Sequence, residues 1–144
     1  MKTIKSIVLG LALLVVCGTS VNATAIIDKN DGLTKTYAVN TYVNAMTRGK
    51  LDGFNDVLDK SARFSMLRGK QVLNFDKKEM MQYMQKGKNV SQACTTSTSI
   101  VESNDDAAVI RVDMQYDNFV RSNYLTIANT GNGWKITKVY SVFK

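Results

Sequence analysis

The sequence predicts an α+β fold in which helices cover one face of a curved antiparallel sheet. Two observations carry this prediction. Up to about residue 87, apolar side chains recur at spacings of three and four, the helical period. Beyond Val90 the period shortens to two, and turn-forming Gly, Asn and Asp residues separate the alternating stretches. A sheet curved around N-terminal helices encloses an open-ended cone, and such a cone is a natural pocket for a small ligand.

Three helices and one short hairpin are predicted in the first half. We expect a helix over 33–48 ended by Gly49, an amphipathic helix over 51–58, strands over 62–67 and 71–75, and a helix over 77–86. Asp76 and Glu79 have the spacing of a capping box, so the third helix should begin between them.

Four antiparallel strands are predicted in the second half, over residues 93–102, 107–116, 119–129 and 134–143. The intervening turns are rich in Asn, Asp and Gly, which tolerate left-handed backbone geometry. Alternation then directs one set of side chains to the interior: Ala108, Ile110, Val112, Met114 and Tyr116.

The first 25 residues have the pattern of an export signal. Lys2 and Lys5 precede an apolar run over residues 7–17, which is too short to cross a bilayer, and residues 23–25 (ATA) form a cleavage site. We therefore expect a signal peptide over 1–25 and one domain over 26–144, exported to the periplasm or the extracellular space and without stable membrane insertion. An alternative is lipid attachment at Cys17, although Val16 occupies a position that normally requires a small residue.

The net charge and its distribution along the chain bear on the class of partner. Cleavage would remove Lys2 and Lys5 but no acid, so the net charge falls from +7 to +5. The basic residues are scattered in pairs along the chain rather than gathered with aromatic residues, which argues against nucleic acid as a partner. Weak attraction to anionic lipids or polymers of the cell envelope is the alternative.

The sequence also lacks the side chains needed for histidine-dependent nucleophilic sites and the commonest ligand of transition metals. It contains no histidine, and Cys94 would be the one cysteine left after cleavage. We expect Cys94 to be a buried apolar residue at the start of a strand, and we expect neither a metal nor another cofactor. Asp56 and Asp59 on the second helix are expected to face solvent.

Two stretches resemble the nuclear transport factor 2-like superfamily, which shares the cystatin-like fold. The first runs from Tyr42 through residues 49–54 (GKLDGF) to residues 62–64 (ARF). The second joins residues 106–109 (DAAV), 123–127 (NYLTI) and 133–136 (GWKI), and is similar to the bacterial subgroup called putative lumazine-binding proteins. The resemblance covers nearly the whole mature chain. It implies the cone-shaped fold, but not one function, because the superfamily includes enzymes, binding modules and assembly adaptors.

The resemblance permits a test for isomerase chemistry. Aligned with the ketosteroid isomerases through the turn at residues 49–53, Tyr42 falls on the oxyanion-hole tyrosine, Met66 on the general base, and the buried acid falls near Leu125. Methionine and leucine cannot transfer protons, and dehydratase-like relatives depend on histidine. We therefore expect a protein that is not an enzyme.

The remaining candidate site is the interior of the cone. Its predicted pocket residues are mostly apolar or aromatic, with Arg121 and Asn123 near the mouth to orient a planar or anionic ligand: Tyr42, Phe54, Met66, Met114, Tyr116, Arg121, Asn123, Leu125 and Trp134. The first hypothesis is an exported module that binds a small apolar or planar ligand. The second is a homodimeric interaction module with a filled cone, which pairs through Tyr124, Thr126, Val139 and Ser141 on the outer sheet face. An isomerase-like or dehydratase-like enzyme is the third.

Overall fold

The computed structural model describes residues 34–144, and the predicted export signal, its cleavage site and Cys17 lie outside the described residues. The elements, in chain order, are α1 Lys35–Arg48, α2 Phe54–Val57, β1 Leu58–Arg68, β2 Gln71–Asp76, α3 Lys77–Lys86, β3 Thr95–Ser103, β4 Ala107–Gln115, β5 Val120–Asn129 and β6 Trp134–Phe143. The α+β fold predicted from the change of period is confirmed, as are the three helices and six strands in their predicted order. No helix within 34–144 is long and apolar enough to span a membrane.

The six strands form one sheet in the order β2-β1-β6-β5-β4-β3. Neighbours are antiparallel except β1 and β6, which run parallel; α3 and four strands separate them along the chain and supply the long crossover that parallel pairing requires. The register joins Met66 to Ser141, Ser141 to Asn123 and Asn123 to Val112. One row of side chains therefore crosses the middle of the sheet on its inner face.

Local sequence signals explain where the helices begin and end. The side chain of Thr34 accepts a hydrogen bond from the Tyr37 amide at the start of α1, and Gly49 ends α1 with a left-handed φ of 61°. At α3, Asp76 accepts from the Glu79 amide while Glu79 accepts from the Asp76 amide, which is the predicted capping box. These caps fix both ends of α1 and the start of α3.

The core lies between α1, α2 and the inner sheet face. Its members include these buried apolar side chains: Ala38, Tyr42, Ala45, Phe54, Val57, Phe64, Ile110, Val112, Met114, Leu125, Ile127, Ile136 and Val139. The predicted alternation along β4 is confirmed, because Ala108, Ile110, Val112 and Met114 are buried while the residues between them are half-buried. Cys94 is half-buried rather than buried, and it lies just before β3.

The boundary between α2 and β1 differs from the prediction. The helix predicted over 51–58 is a single turn, and β1 already begins at Leu58. The β1–β6 register shifts between Leu58 and Arg63, so the intervening residues form an irregular strand that hides the period of two. Asp59 therefore belongs to β1, where it accepts hydrogen bonds from the Ser61 amide and hydroxyl. These bonds lower the Asp59 pKa.

The outer sheet face also differs in composition from the prediction. A register shift between Thr126 and Ile127 opposite β6 changes which β6 residues face inward. Val139 pairs with Leu125 and Ser141 pairs with Asn123, and all four side chains are buried. The prediction that Val139 and Ser141 lie on the outer face is therefore wrong. The β6 residues on the outer face are Tyr140 and Val142, which lie beside Tyr124 and Thr126 of β5.

Candidate functional site

The nine predicted pocket residues lie in three different parts of the cone. Tyr42, Phe54, Met114, Asn123 and Leu125 are fully buried in its centre. Met66, Tyr116 and Arg121 lie at its wide end. Trp134 lies at the opposite end, since it pairs with Asn129, eight residues or about 26 Å of strand from Arg121.

A closed hydrogen-bond network occupies the centre. The Tyr42 hydroxyl donates to Asn123 Oδ1 at 3.2 Å, and the Ser141 hydroxyl donates to the same oxygen at 2.7 Å. Asn123 Nδ2 donates to the Val112 carbonyl at 3.2 Å. The amide of Asn123 thus joins α1, β4 and β6, and its acceptor is already occupied by side chains of the same chain.

The network also corrects the position of the group that faces Tyr42. Alignment placed the counterpart of the isomerases' buried acid near Leu125, but the side chain that touches the phenol belongs to Asn123, two residues earlier. An amide has no acidic proton to transfer. Among residues 34–144, no group of three or more acidic or thiol side chains is arranged to hold a metal ion.

Burial gives the Tyr42 phenol an unusual pKa. Loss of solvent raises the pKa of Tyr42 to about 12, with the Arg121 charge opposing the shift and Tyr116 adding to it. The folded state therefore holds this proton more tightly than the unfolded state does. The phenol stays protonated, and donates to Asn123, across the whole physiological range.

We expect the protonated Tyr42 phenol to make a contribution to stability that varies with pH only in alkali. This contribution is fully present below pH 10 and is lost as the pH rises toward 12. The loss in unfolding free energy is about 2 kcal/mol. Urea unfolding of the wild type and of Tyr42→Phe at pH 9 and pH 12 measures it, because the variant shares every other titrating group. A difference in unfolding free energy that does not change with pH would contradict the buried phenol.

The wide end of the cone carries an open groove of about 680 Å³, here called the mouth groove. It is lined by Met66, Leu67, Arg68, Gly69, Tyr83, Gln92, Tyr116, Phe119, Arg121 and Phe143. The Tyr116 and Phe119 rings stack at 4.5 Å with an interplanar angle of 14°, and the Phe143 ring lies 6.1 Å from Phe119. A smaller groove of about 250 Å³, the side groove, shares Tyr83, Gln92 and Arg121 with it.

Both grooves are electropositive. Arg68 and Arg121 line the mouth groove, Lys86 lines the side groove, and no aspartate or glutamate is among the residues that line either. Arg121 Nη2 donates to Ser141 Oγ at 3.3 Å, while its Nε is buried without a hydrogen-bond partner in the described part of the chain. A cation at the edge of an apolar cone is therefore not neutralised by this chain's described residues.

Gln92 is one of the lining residues that sequence reasoning missed. It lies in the loop between α3 and β3, which is tied to the end of α1: the Gln92 amide donates to the Thr47 carbonyl at 2.7 Å, and the Asn89 amide donates to the Gly49 carbonyl at 2.9 Å. The Tyr116 hydroxyl donates to Gln92 Oε1. A glutamine in a loop without periodicity gives no sequence signal, because long-range contacts alone place it there.

Trp134 contributes to the other end of the cone. The ammonium of Lys35 lies 4.2 Å from the centre of its ring and also donates to Ser103 Oγ and the Asn104 carbonyl. This contact fixes the start of α1 against the β3–β4 turn. The predicted pocket residues are thus not one cluster.

Comparison with solved structures finds the same fold at low sequence identity. A nuclear transport factor 2-like protein of unknown function from Silicibacter pomeroyi DSS-3 is 19% identical, with a TM-score of 0.64 over 76% of this chain and 92% of that chain. A cystatin-like fold protein from Burkholderia xenovorans LB400 is 14% identical, with a TM-score of 0.59 over 75% and 87%. A ketosteroid isomerase-like protein from Erwinia carotovora atroseptica SCRI1043 is 10% identical, with a TM-score of 0.58 over 81% and 97%.

Comparison with curated proteins finds no match. A family model described as "Putative lumazine-binding" matches residues 32–141. These residues include α1, all six strands nearly to the end of β6, and every residue that lines the two grooves except Phe143. The two stretches quoted from the sequence fall inside this match, and the chain belongs to the family described as putative lumazine-binding, with the fold of nuclear transport factor 2-like proteins.

Proposed function

We propose that the protein is an exported, non-catalytic module that holds a small planar ligand at the wide end of its cone. The observation that carries the proposal is the mouth groove, where four aromatic side chains and Met66 line an open space of about 680 Å³. That volume suits a ligand of one or two fused rings. The family description supports a small molecule as the ligand.

The proposal assigns the centre and the mouth of the cone different roles. Tyr42, Asn123 and Ser141 satisfy one another and stabilise the centre, whereas the side chains around Arg121 face open space. A ligand that enters the mouth meets aromatic faces and hydrogen-bond donors. It meets no acid or histidine among the lining residues, which supports binding without turnover.

We expect protein purified from its own cell envelope to carry the ligand. Native mass spectrometry should give a chain that begins at Ile26, because the signal would be removed at residues 23–25, together with an aromatic small molecule. The released compound should be recovered unchanged after incubation with fresh protein. A chain that retains residues 1–25 would contradict export, and conversion of the compound would contradict the non-catalytic role.

The second candidate function is a homodimeric interaction module. The filled centre supports it, because Tyr42, Phe54, Met114 and Leu125 leave no exposed surface there. The outer face would then supply the contact, with half-buried Tyr124, Thr126, Tyr140 and Val142 rather than Val139 and Ser141. In the same spectra, a dimer without a bound small molecule would favour this candidate over the first.

A further inference from the structure

We propose that the ligand of the mouth groove carries an anionic group beside its flat ring, and that Arg121 and Gln92 together bind this anion. The inference rests on the proposed function and names the chemical class of the ligand. Three features carry it: an unpaired guanidinium, a side-chain amide with a free donor, and an aromatic wall next to both.

The guanidinium of Arg121 has unused hydrogen-bonding capacity. Of its five N–H groups, one donates to Ser141 Oγ, and the contact is long at 3.3 Å. Its Nε is closed off from solvent and has no partner, and no carboxylate within residues 34–144 pairs with it. The guanidinium lies over the Phe143 ring at 5.8 Å, at the border between the mouth and side grooves. A carboxylate that enters from the groove would supply acceptors for the Nη N–H groups of Arg121 that make no hydrogen bond to the described residues.

Gln92 supplies a second donor at the same border. Its Oε1 accepts from the Tyr116 hydroxyl, which fixes the direction of the side-chain amide. Its Nε2 makes no hydrogen bond to the described residues, and its backbone is held by Thr47. Gln92 and Arg121 both line both grooves, so their free N–H groups are placed to meet one anion.

The aromatic wall sets the shape of the rest of the ligand. The stacked Tyr116 and Phe119 rings and the tilted Phe143 ring lie beside Arg121, and Phe119 and Phe143 are 41% and 43% exposed. Such exposure of large apolar side chains marks a binding surface when it adjoins a groove. Arg68 adds a second positive charge, and no lining side chain repels an anion.

The test compares two probes that share a ring and differ in charge, 2-naphthoate and 2-naphthamide. We expect titration calorimetry to show naphthoate binding at least about tenfold more tightly. Arg121→Gln should weaken naphthoate binding by about tenfold to a hundredfold and leave naphthamide binding nearly unchanged. Gln92→Glu should weaken naphthoate binding by a similar factor, because it places a carboxylate against the anion.

Arg111→Gln is the matched control. It removes the same charge from the opposite sheet face, where Arg111 pairs with Asp113 at 2.8 Å, and it should leave naphthoate binding unchanged. Equal loss in Arg111→Gln and Arg121→Gln would overturn the inference, since net charge alone would then explain the preference. Equal binding of both probes would overturn it while preserving the proposed function. Binding of neither probe would contradict both.

A second variant covers the case in which Arg121→Gln does not fold. Arg121→Lys keeps the charge but loses the planar fork, so naphthoate should bind several-fold more weakly than to the wild type and still more tightly than naphthamide. Thermal unfolding of each variant establishes that it is folded. Full wild-type affinity in Arg121→Lys together with full affinity in Gln92→Glu would overturn the assignment of these two residues.

Discussion

Gly49→Ala is expected to destabilise the protein by about 3 kcal/mol or more, although it adds one methyl group. Two effects combine. Gly49 has a φ of 61°, and an alanine in this left-handed region costs about 1 to 2 kcal/mol. The new Cβ would also meet backbone atoms of the α3–β3 loop: the Gly87 carbonyl oxygen, Asn89 N at 2.6 Å and Val90 N at 2.9 Å. Backbone atoms cannot swing aside as a flexible side chain can, so the loop must move.

Gly69→Ala separates these two effects. Gly69 has the same φ of 61°, but a Cβ there meets nothing within 4 Å. It should therefore lose only the backbone term, about 1 kcal/mol. Urea unfolding of both variants gives the steric term as the difference between them. Equal losses would show that the α3–β3 loop does not lie against Gly49 in solution.

Gly49→Ala should also weaken ligand binding in the mouth groove. The loop that Gly49 contacts carries Gln92, whose backbone amide donates to the Thr47 carbonyl. A displaced loop would move Gln92 away from Tyr116 and Arg121. We therefore expect Gly49→Ala to bind 2-naphthoate more weakly than the wild type does.

Asn123→Asp is the second substitution with a large expected effect, a loss of about 3 kcal/mol at pH 7.5. Asn123 is fully buried, so a carboxylate there would lose its solvation. Tyr42 and Ser141 would still donate to one oxygen, but the other would face the Val112 carbonyl, which accepts a hydrogen bond from the wild-type amide. A protonated acid can donate to that carbonyl. We therefore expect the folded state to favour the protonated form.

The sign of the pH dependence follows from this preference. The folded-state pKa of the introduced acid lies above its unfolded value of about 3.9, so its protonated form adds stability that is fully present below pH 3.9. This stability is lost as the pH rises through the folded-state pKa. The measurement is the unfolding free energy of Asn123→Asp and of the wild type at pH 4 and at pH 7.5. The difference between the two proteins should be larger at pH 7.5.

Asn123→Leu is the control without a titrating group. It leaves the Tyr42 and Ser141 hydroxyls without their acceptor, at about 1 to 3 kcal/mol each, and this loss should be the same at both pH values. A pH-independent loss in Asn123→Asp, or none, would show that water reaches this position. The network would then not be a closed centre of the cone.

Much of the fold could be predicted from local signals. Gly49, the Asp76–Glu79 capping box and the alternation along β4 each depend on residues within one turn or one strand, and each prediction is confirmed. Two of the predictions that failed lie near register shifts. The irregular β1 start moved Asp59 from a helix to a strand, and the shift opposite β6 moved Val139 and Ser141 inward. A single extra residue in one strand reverses the faces beyond it, and no local pattern reveals where it lies.

The positions of the candidate site residues were likewise predicted only in part from local signals. Parity along β5 predicted that Arg121 shares the inner face with Leu125, and Arg121 lines the mouth groove. Parity could not predict that Asn123 would be closed off by Tyr42 and Ser141, or that Trp134 would lie at the far end. Those outcomes depend on how far along the cone each residue lies.

The sequence by itself determined the family, the succession of helices and strands, and the absence of histidine from any site. These properties follow from residue identity and short spacing. The tertiary structure alone decided that Asn123 touches Tyr42 across 81 residues and that Gln92, in a loop, lies beside Arg121. Contacts between residues so distant in sequence depend on the register of the whole sheet and the packing of α1 against it, and no segment of the chain encodes either property on its own.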